Sequence, residues 1–449
     1  MSDASYQPSY PLASLRQVAR RITDGSHFSP TPQESGHLIA NVKDMKSGKI
    51  DFSTCTRISR DAYRKLKATG CTITDGNVLL SKDGTVGRVV VYKQTEEIGV
   101  LSSICIIEPN DSLDPSYLGQ VLRNEESVRQ YENFMSGSAL RRLVLRDIRS
   151  IQIPLPSLAQ QRAIAKILDT LDDAIQKTEQ LIAKLKQIKQ GLLHDLLTRG
   201  IDENGQLRDP IAHPEQFKDS VLGKIPKEWR VVPLRQLIES LDAGVSVNAF
   251  DYPAASGQIG VLKTSAVSGG KFYPRENKAV LPQEISRARV RPEADSIIVS
   301  RMNTPELVGE HGYVDGFFGD LYLPDRLWLM KFKDKDLISA RWLSFFLSTP
   351  PAKRHIALHA TGTSGSMKNL PKDKFLDMLI PLPELAEQNL VAETLKSHED
   401  RMILEGCHLQ RLQSIKKGLM NDLLTGRVRA IQGESNETGK GVDQELPLL

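Results

Sequence analysis

The sequence predicts a mixed α/β protein built from two similar globular blocks, each followed by one long helix. Three observations predict it: a long stretch written twice, one heptad pattern in the same register in both copies, and short strand-like runs between turn residues ahead of each copy. KQGLLHDLLTRG fills residues 189–200 and KKGLMNDLLTGR residues 416–427, 227 positions apart (418 − 191). The match runs backwards without a gap to IPLPSLAQQ at Ile153–Gln161 and IPLPELAEQ at Ile380–Gln388. Each proline there fixes its own φ and pushes the residue before it to an extended conformation. The helical pattern starts just after the second proline, with Ser157 as the expected start and Pro383 and Glu384 in the matching place.

From Ile164, residues Ile164, Leu168, Leu171, Ile175, Thr178, Ile182, Leu185, Lys189, Leu192 and Leu196 alternate steps of four and three, a heptad seam. The second copy reads Val391, Leu395, His398, Met402, Glu405, Leu409, Leu412, Lys416, Leu419 and Leu423, with polar residues at the same fifth and eighth places. A solitary amphipathic helix needs no such agreement, so the two helices are expected to face each other as a coiled coil. Paired polar interruptions would then fix its register at some cost in stability. Each helix is expected to run about 38 residues, roughly 57 Å.

The duplication reaches further. LRQVARRITDG (Leu15–Gly25) resembles LRQLIESLDAG (Leu234–Gly244), and IANVKDMKSGK (Ile39–Lys49) resembles IGVLKTSAVSGGK (Ile259–Lys271). NVLLSKDGTVG (Asn77–Gly87) resembles SIIVSRMNTPELVG (Ser296–Gly309), and GSALRRL (Gly137–Leu143) resembles GSMKNL (Gly365–Leu370). Aliphatic runs at Val78–Leu80, Arg88–Tyr92, Val100–Ile107, Ser296–Ser300 and Leu327–Phe332 read as strands, and Pro115–Tyr131 and Ser339–Arg354 as helical. The expected division is a first block over 1–152, a helix over 153–200, a linker over 201–228, a second block over 229–379, a helix over 380–427 and a disordered tail over 428–449.

No apolar run approaches membrane-spanning length and no signal peptide opens the chain, so a cytoplasmic protein is expected. Cys55, Cys71, Cys105 and Cys407 show no paired spacing, which reads as reduced and metal-free. The net charge of +4 decides little. Local clusters exist at Arg141, Arg142, Arg146 and Arg149, and in SRARVR (Ser286–Arg291), whose three arginines would share one face of a strand if it is one. Phosphate-cradling loops, zinc-protease helices and nucleophile elbows are all missing, so no catalytic role is expected. His398 stands where the first copy has Leu171 and reads as a seam residue.

Over about residues 12–427 this layout resembles the specificity subunits of type I restriction–modification systems. The repeated IPLP-x-LA-x-Q and GL-x-x-DLLT helices, DGSHFSP (Asp24–Pro30), IPKEWRVVPLRQL (Ile225–Leu237) and SRMNTPELVG (Ser300–Gly309) carry the resemblance. It implies two mixed α/β target-recognition domains, each reading one part of a split double-stranded DNA site, and helices that form an antiparallel coiled coil. It also implies that those helices dock two methyltransferase subunits, joined by up to two ATP-dependent restriction subunits. Cofactors are expected on those partners (S-adenosylmethionine, ATP and Mg) and none on this chain. Two unlike half-sites follow from the unlike halves, and if the domains sit on one face of the duplex the half-site centres should lie about one turn, roughly 10 bp, apart.

Arg or Lys can pair with guanine and Asn or Gln with adenine, while Lys, Arg, Ser and Thr on phosphates orient the protein. The DNA-contacting candidates are His27, Lys43, Lys82, Thr85 and Arg88 in the first block. In the second they are Lys263, Thr264, Arg301, Asn303, Thr304, Lys368 and Asn369. The other reading of these islands is scaffold, with base contacts in the dissimilar stretches between. Two alternatives for the whole chain stay open: a coiled-coil adaptor that binds only protein, and the specificity module of a system whose nuclease and methyltransferase share one chain.

Overall fold

The repeated stretches form single helices, Leu158–Thr198 and Leu385–Thr425, each 41 residues long and at the same offset as the sequence repeat. The computed structural model describes residues 10–135, 141–362 and 367–430. The chain divides into two units, Met1–Leu181 with Glu405–Leu449, and Ile182–Leu404, so each unit holds a part of both helices. The start of GSALRRL, Gly365 and Ser366 of GSMKNL, and the tail from residue 431 lie outside the described residues.

In the first unit an antiparallel sheet runs in the order Ala19–Asp24, Ile104–Pro109, Val78–Ser81, Val89–Val91. Every residue of Val78–Ser81 is buried, as its unbroken aliphatic run requires. A second, mixed sheet joins Thr56–Ile58, His37–Ala40, Ile98–Val100 and Thr72–Ile73. The expected helix over 115–131 is two, Pro115–Arg123 and Glu125–Met135, broken at Asn124. Tyr117, Leu118, Val121 and Leu122 share one core with Ile164 and Leu168 of the first long helix and Leu423 and Leu424 of the second.

The second unit repeats the plan with insertions. Its six-stranded sheet runs Ile238–Ala243, Leu327–Phe332, Ser296–Ser300, His311–Val314, Gly270–Phe272, Val267–Ser268. A three-stranded sheet holds Asn277–Ala279, Gly260–Leu262 and Leu321–Tyr322. The expected helix over 339–354 is again two, Ala340–Leu347 and Pro350–His359. SRARVR is no strand: Pro282–Arg287 is a 3-10 helix, Arg287 pairs with Glu284, and Arg291 lies over the Tyr322 ring. The segment over 201–228 is also built, with a hairpin of Phe217–Ser220 and Gly223–Pro226 and buried Ile201, Phe217 and Ile225.

Each block closes onto its helix in the same way. Leu12–Ser14 pairs with Gln152–Pro154, and Arg230–Pro233 with Leu379–Leu382, so the Ile-Pro-Leu-Pro stretches are the return strands. One turn into each helix, a fully buried glutamine ties it to the block. Gln161 Oε1 accepts from the Asp114 N–H at 2.8 Å, and its Nε2 donates to Ser112 O and Pro156 O, both at 2.9 Å. Gln388 does the same with Ser339 N (2.8 Å), Leu337 O (3.0 Å) and Pro383 O (2.9 Å). Replacing Gln161 by leucine leaves a buried N–H without an acceptor, which costs about 1–3 kcal/mol. A lowered denaturation midpoint with the helix content unchanged is the expected result.

The helices run antiparallel within each unit. In the first, Asp172 meets Lys416 at 2.5 Å while Ile164 and Leu168 share their core with Leu423. In the second, His398 Nε2 lies 2.8 Å from Leu185 O, Lys189 meets Glu399 at 2.5 Å, and Leu196 packs with Val391 and Leu395. Lys189 and Lys416 are repeat mates, and so are Asp172 and Glu399; each unit thus carries one copy of the same ion pair. Those are the polar interruptions of the eighth seam place, the kind of polar pair that specifies register. Of the seam residues, Ile164, Leu168, Leu185, Leu196, Val391, Leu395 and Leu423 are buried. Leu171, Ile175, Ile182, Leu192, Met402, Leu409, Leu412 and Leu419 are half-buried. Among the described residues no helix is long and apolar enough to cross a membrane.

Candidate nucleic-acid interface

In both units the buried central strand ends on a serine, and the chain then turns out into a loop that comes back beside it. Ser81 O accepts from Gly87 N (3.0 Å) and Ser81 N donates to Arg88 O (2.9 Å). Ser300 O accepts from Gly309 N and Ser300 N donates to Glu310 O, both at 2.7 Å. The residue after the serine accepts from the turn before the long helix: Leu143 N to Lys82 O at 2.9 Å, and Leu370 N to Arg301 O at 2.8 Å. A short pairing follows, Asp83 with Arg142 in the first unit and Met302–Asn303 with Lys368–Asn369 in the second. Lys82 and Arg301 therefore stand at the same place in the two units.

This gathers many of the candidates. In the second unit Arg301, Asn303, Thr304, Lys368 and Asn369 lie in or beside one short antiparallel pairing. Asn303 Oδ1 accepts from Thr304 N (2.9 Å), its Nδ2 donates to Ser300 Oγ (3.3 Å), and Lys368 Nζ donates to Gly362 O (3.1 Å). Lys263 and Thr264 follow a strand of the separate three-stranded sheet, and Lys263 lies 3.5 Å from Glu276. In the first unit Thr85 is exposed near the loop tip and Lys43 is exposed on a 3-10 turn. Arg88 donates from Nη1 to Val42 O (3.2 Å) and Met45 O (3.0 Å), which clasps the loop base.

Lys82 needs correction as a free DNA-contacting side chain. It is buried, with Nζ 3.5 Å from Asp24 Oδ1 and 3.2 Å from Asp83 Oδ2. The strand end that carries it is packed on all sides, and only the two carboxylates make a buried ammonium tolerable. His27, mostly exposed, lies 3.6 Å from Asp24.

The candidate set passed over several residues. Arg141 and Arg142 are exposed beside the first loop. Phe28 is 62% exposed and is held outward by Ser26, whose Oγ donates to Phe28 O (2.8 Å) and accepts from Phe28 N (3.1 Å). In the matching loop of the second unit Phe250 and Tyr252 stack with ring centroids 5.1 Å apart. Both loops leave from a glycine with no room for a side chain. A Cβ on Gly25 would sit 2.4 Å from Leu101 O, and one on Gly244 1.8 Å from Leu323 O. The phenylalanine in DGSHFSP was the available signal.

Next to the second loop, burial pushes the His311 imidazole below its ordinary pKa, against the bond to Ser344 O (2.7 Å) and the adjacent Glu310 carboxylate. For Glu310 itself burial acts upward, but the Gly269 N–H and Lys353 outweigh it and hold the carboxyl low. A depressed histidine contributes stability above the unfolded value near pH 6.5 and loses it as pH falls towards the folded one. Acidification from about pH 7.5 to 5.5 should therefore lower the denaturation midpoint, and His311→Asn should flatten that dependence. Among the described residues no group of three or more His, Cys, Asp or Glu could hold a metal ion.

Two α/β units that repeat one loop with different side chains, each holding a part of both long helices, have the build of a recognition subunit. The family model for the type I restriction modification DNA specificity domain matches residues 34–187 and 226–416, and the chain belongs to this family, as a specificity subunit of a type I restriction–modification system. Such subunits are the non-catalytic, DNA-recognition components of these systems. The chain is 27% identical over 363 residues to the MjaVIII specificity subunit of Methanocaldococcus jannaschii, covering 80% of each chain. It is 23% identical over 436 residues to the putative MjaX specificity subunit of the same organism, covering 94% of each. Its fold resembles the S subunit of a type I system from M. genitalium, with a TM-score of 0.57 at 13% identity over 94% of this chain and 98% of that one.

Proposed function

We propose that the chain reads an asymmetric, two-part double-stranded DNA target, one half with each unit. The observation that carries this reading is the loop built twice with different side chains, Asp83 and Thr85 in one copy and Arg301, Asn303 and Thr304 in the other. One scaffold with unlike contact residues suits two unlike half-sites, whose centres are set about 10 bp apart in this reading. The paired helices dock two methyltransferase subunits, and up to two ATP-dependent restriction subunits join the complex in the cytoplasm. S-adenosylmethionine, ATP and Mg act on those partners, while this chain supplies the address. His27, Lys43, Thr85, Lys263, Thr264, Thr304 and Lys368 serve as contacts to bases or phosphates.

Modification-sensitive genome sequencing of the source strain, with and without the gene, tests this directly. A split motif of two short unlike blocks that loses methylation on deletion is the expected result. An unchanged methylome, together with no salt-dependent DNA binding by the purified chain, would sink the reading and favour an adaptor.

A further inference from the structure

We propose that Arg301 reads a guanine in the half-site met by the second unit, and that its counterpart Lys82 is withdrawn from DNA by its own carboxylates. The proposal rests on the DNA reading above and divides two positions that the repeat makes equivalent.

The backbone sets them equal: both follow a fully buried serine, and both accept through their carbonyl from the leucine before the long helix. Their side chains meet opposite surroundings. Lys82 has two carboxylates within 3.5 Å, Asp24 and Asp83, and its side chain is 9% exposed. Among the described residues Arg301 has no ion pair and no side-chain hydrogen bond, although it is half-buried and its Nε is wholly buried. Asn369 Oδ1, one strand across, is a second buried polar atom without a partner.

A buried donor left unpaired costs stability, and such groups are few in folded proteins, so Arg301 calls for a ligand that completes it, while Asn369 Oδ1, an acceptor, calls for a donor. That ligand must offer acceptors to a planar cation. Guanine presents O6 and N7 in the major groove, spaced for two N–H bonds from a guanidinium, the commonest specific contact of this kind. The neighbouring amide is less available, because Asn303 already spends both ends of its side chain within the loop.

A phosphate could also accept from Arg301, and the two outcomes differ in what they change. A base contact specifies one position, whereas a phosphate contact weakens all sequences alike and reduces the salt dependence by about one ion. The test compares the methylomes of strains carrying wild type, Arg301→Ala, Arg301→Lys and Lys82→Met, with binding of the purified full chains to duplexes altered at single base pairs. The half-site owned by the second unit is the half that survives exchange of residues 12–150.

The expected result for Arg301→Ala is relaxed choice at one guanine of that half, with discrimination there falling on the order of 10- to 100-fold. The first half should keep its sequence. Arg301→Lys should recover only part of the discrimination, since an ammonium cannot bond in the same fork. Lys82→Met should leave both halves unchanged in sequence. Uniform weakening with a shallower salt slope, or no change at any guanine, would overturn the assignment. Absence of any wild-type motif would instead remove the DNA reading on which it stands.

Discussion

Replacing Glu387 by alanine is expected to destabilise the second unit by about 3–5 kcal/mol, the cost of leaving a buried charge without its partner. One carboxylate there takes four donors. Arg208 Nη1 and Nη2 approach at 2.6 and 3.4 Å, the Ile201 N–H at 2.8 Å and Trp229 Nε1 at 3.0 Å. Arg208 and Glu387 are 10% and 12% exposed, and Trp229 is fully buried. The carboxylate thus pins the start of the segment after the first long helix, and the tryptophan that opens the next block, to the second long helix. Glu387→Gln keeps an acceptor and loses the charge, so an intermediate loss is expected. The readouts are the denaturation midpoint and hydrogen exchange at the Ile201 amide, which should lose its protection. A loss below about 1 kcal/mol in the alanine variant would show that the segment holds without this carboxylate.

The second large effect is on specificity. Exchanging residues 12–150 for the corresponding domain of another family member is expected to replace one half of the DNA target and leave the other unchanged. The boundaries are favourable, because Leu12–Ser14 pairs with Gln152–Pro154 through backbone bonds that any incoming sequence can remake. The cost falls on side chains that reach from the block to the first helix. Gln120 Nε2 donates to both Asp169 and Asp172 at 2.8 Å, and Lys93 meets Asp169 at 3.0 Å. An incoming domain without an amide at that place leaves Asp169 less satisfied, while Asp172 keeps Lys416. Some loss of stability should therefore accompany the new half-site, and restoring the glutamine should relieve it. The methylome of the exchange strain reads the result, and a change in both halves would defeat the assignment of one half to each unit.

Much of the architecture was legible because its causes are local or periodic. The seam of alternating steps placed every helix-facing apolar residue from Ile164 to Leu423 in a buried or half-buried position, since helical periodicity needs only neighbours a few residues away. The strands at Ser296–Ser300 and Leu327–Phe332 fell where their aliphatic runs put them. SRARVR is no strand because period two alone does not make one: its first two residues end a 3-10 helix, and Val290, whose O accepts from Leu323 N, adopts a positive φ of 58°. The segment over 201–228 looked like a bare connection because its polar composition hid Arg208, whose partner lies 179 residues further on.

The sequence by itself determined that the chain is two copies of one plan, with two helices in a common register, since a repeat and a heptad are written in spacing alone. Only the tertiary structure decided which equivalent side chains are free to act. Lys82 and Arg301 look alike as cations after a serine, yet Asp24, far back in the chain, closes one, while among the described residues no carboxylate closes the other. Charge is compensated by neighbours in space, and those neighbours are chosen by the fold of the whole unit.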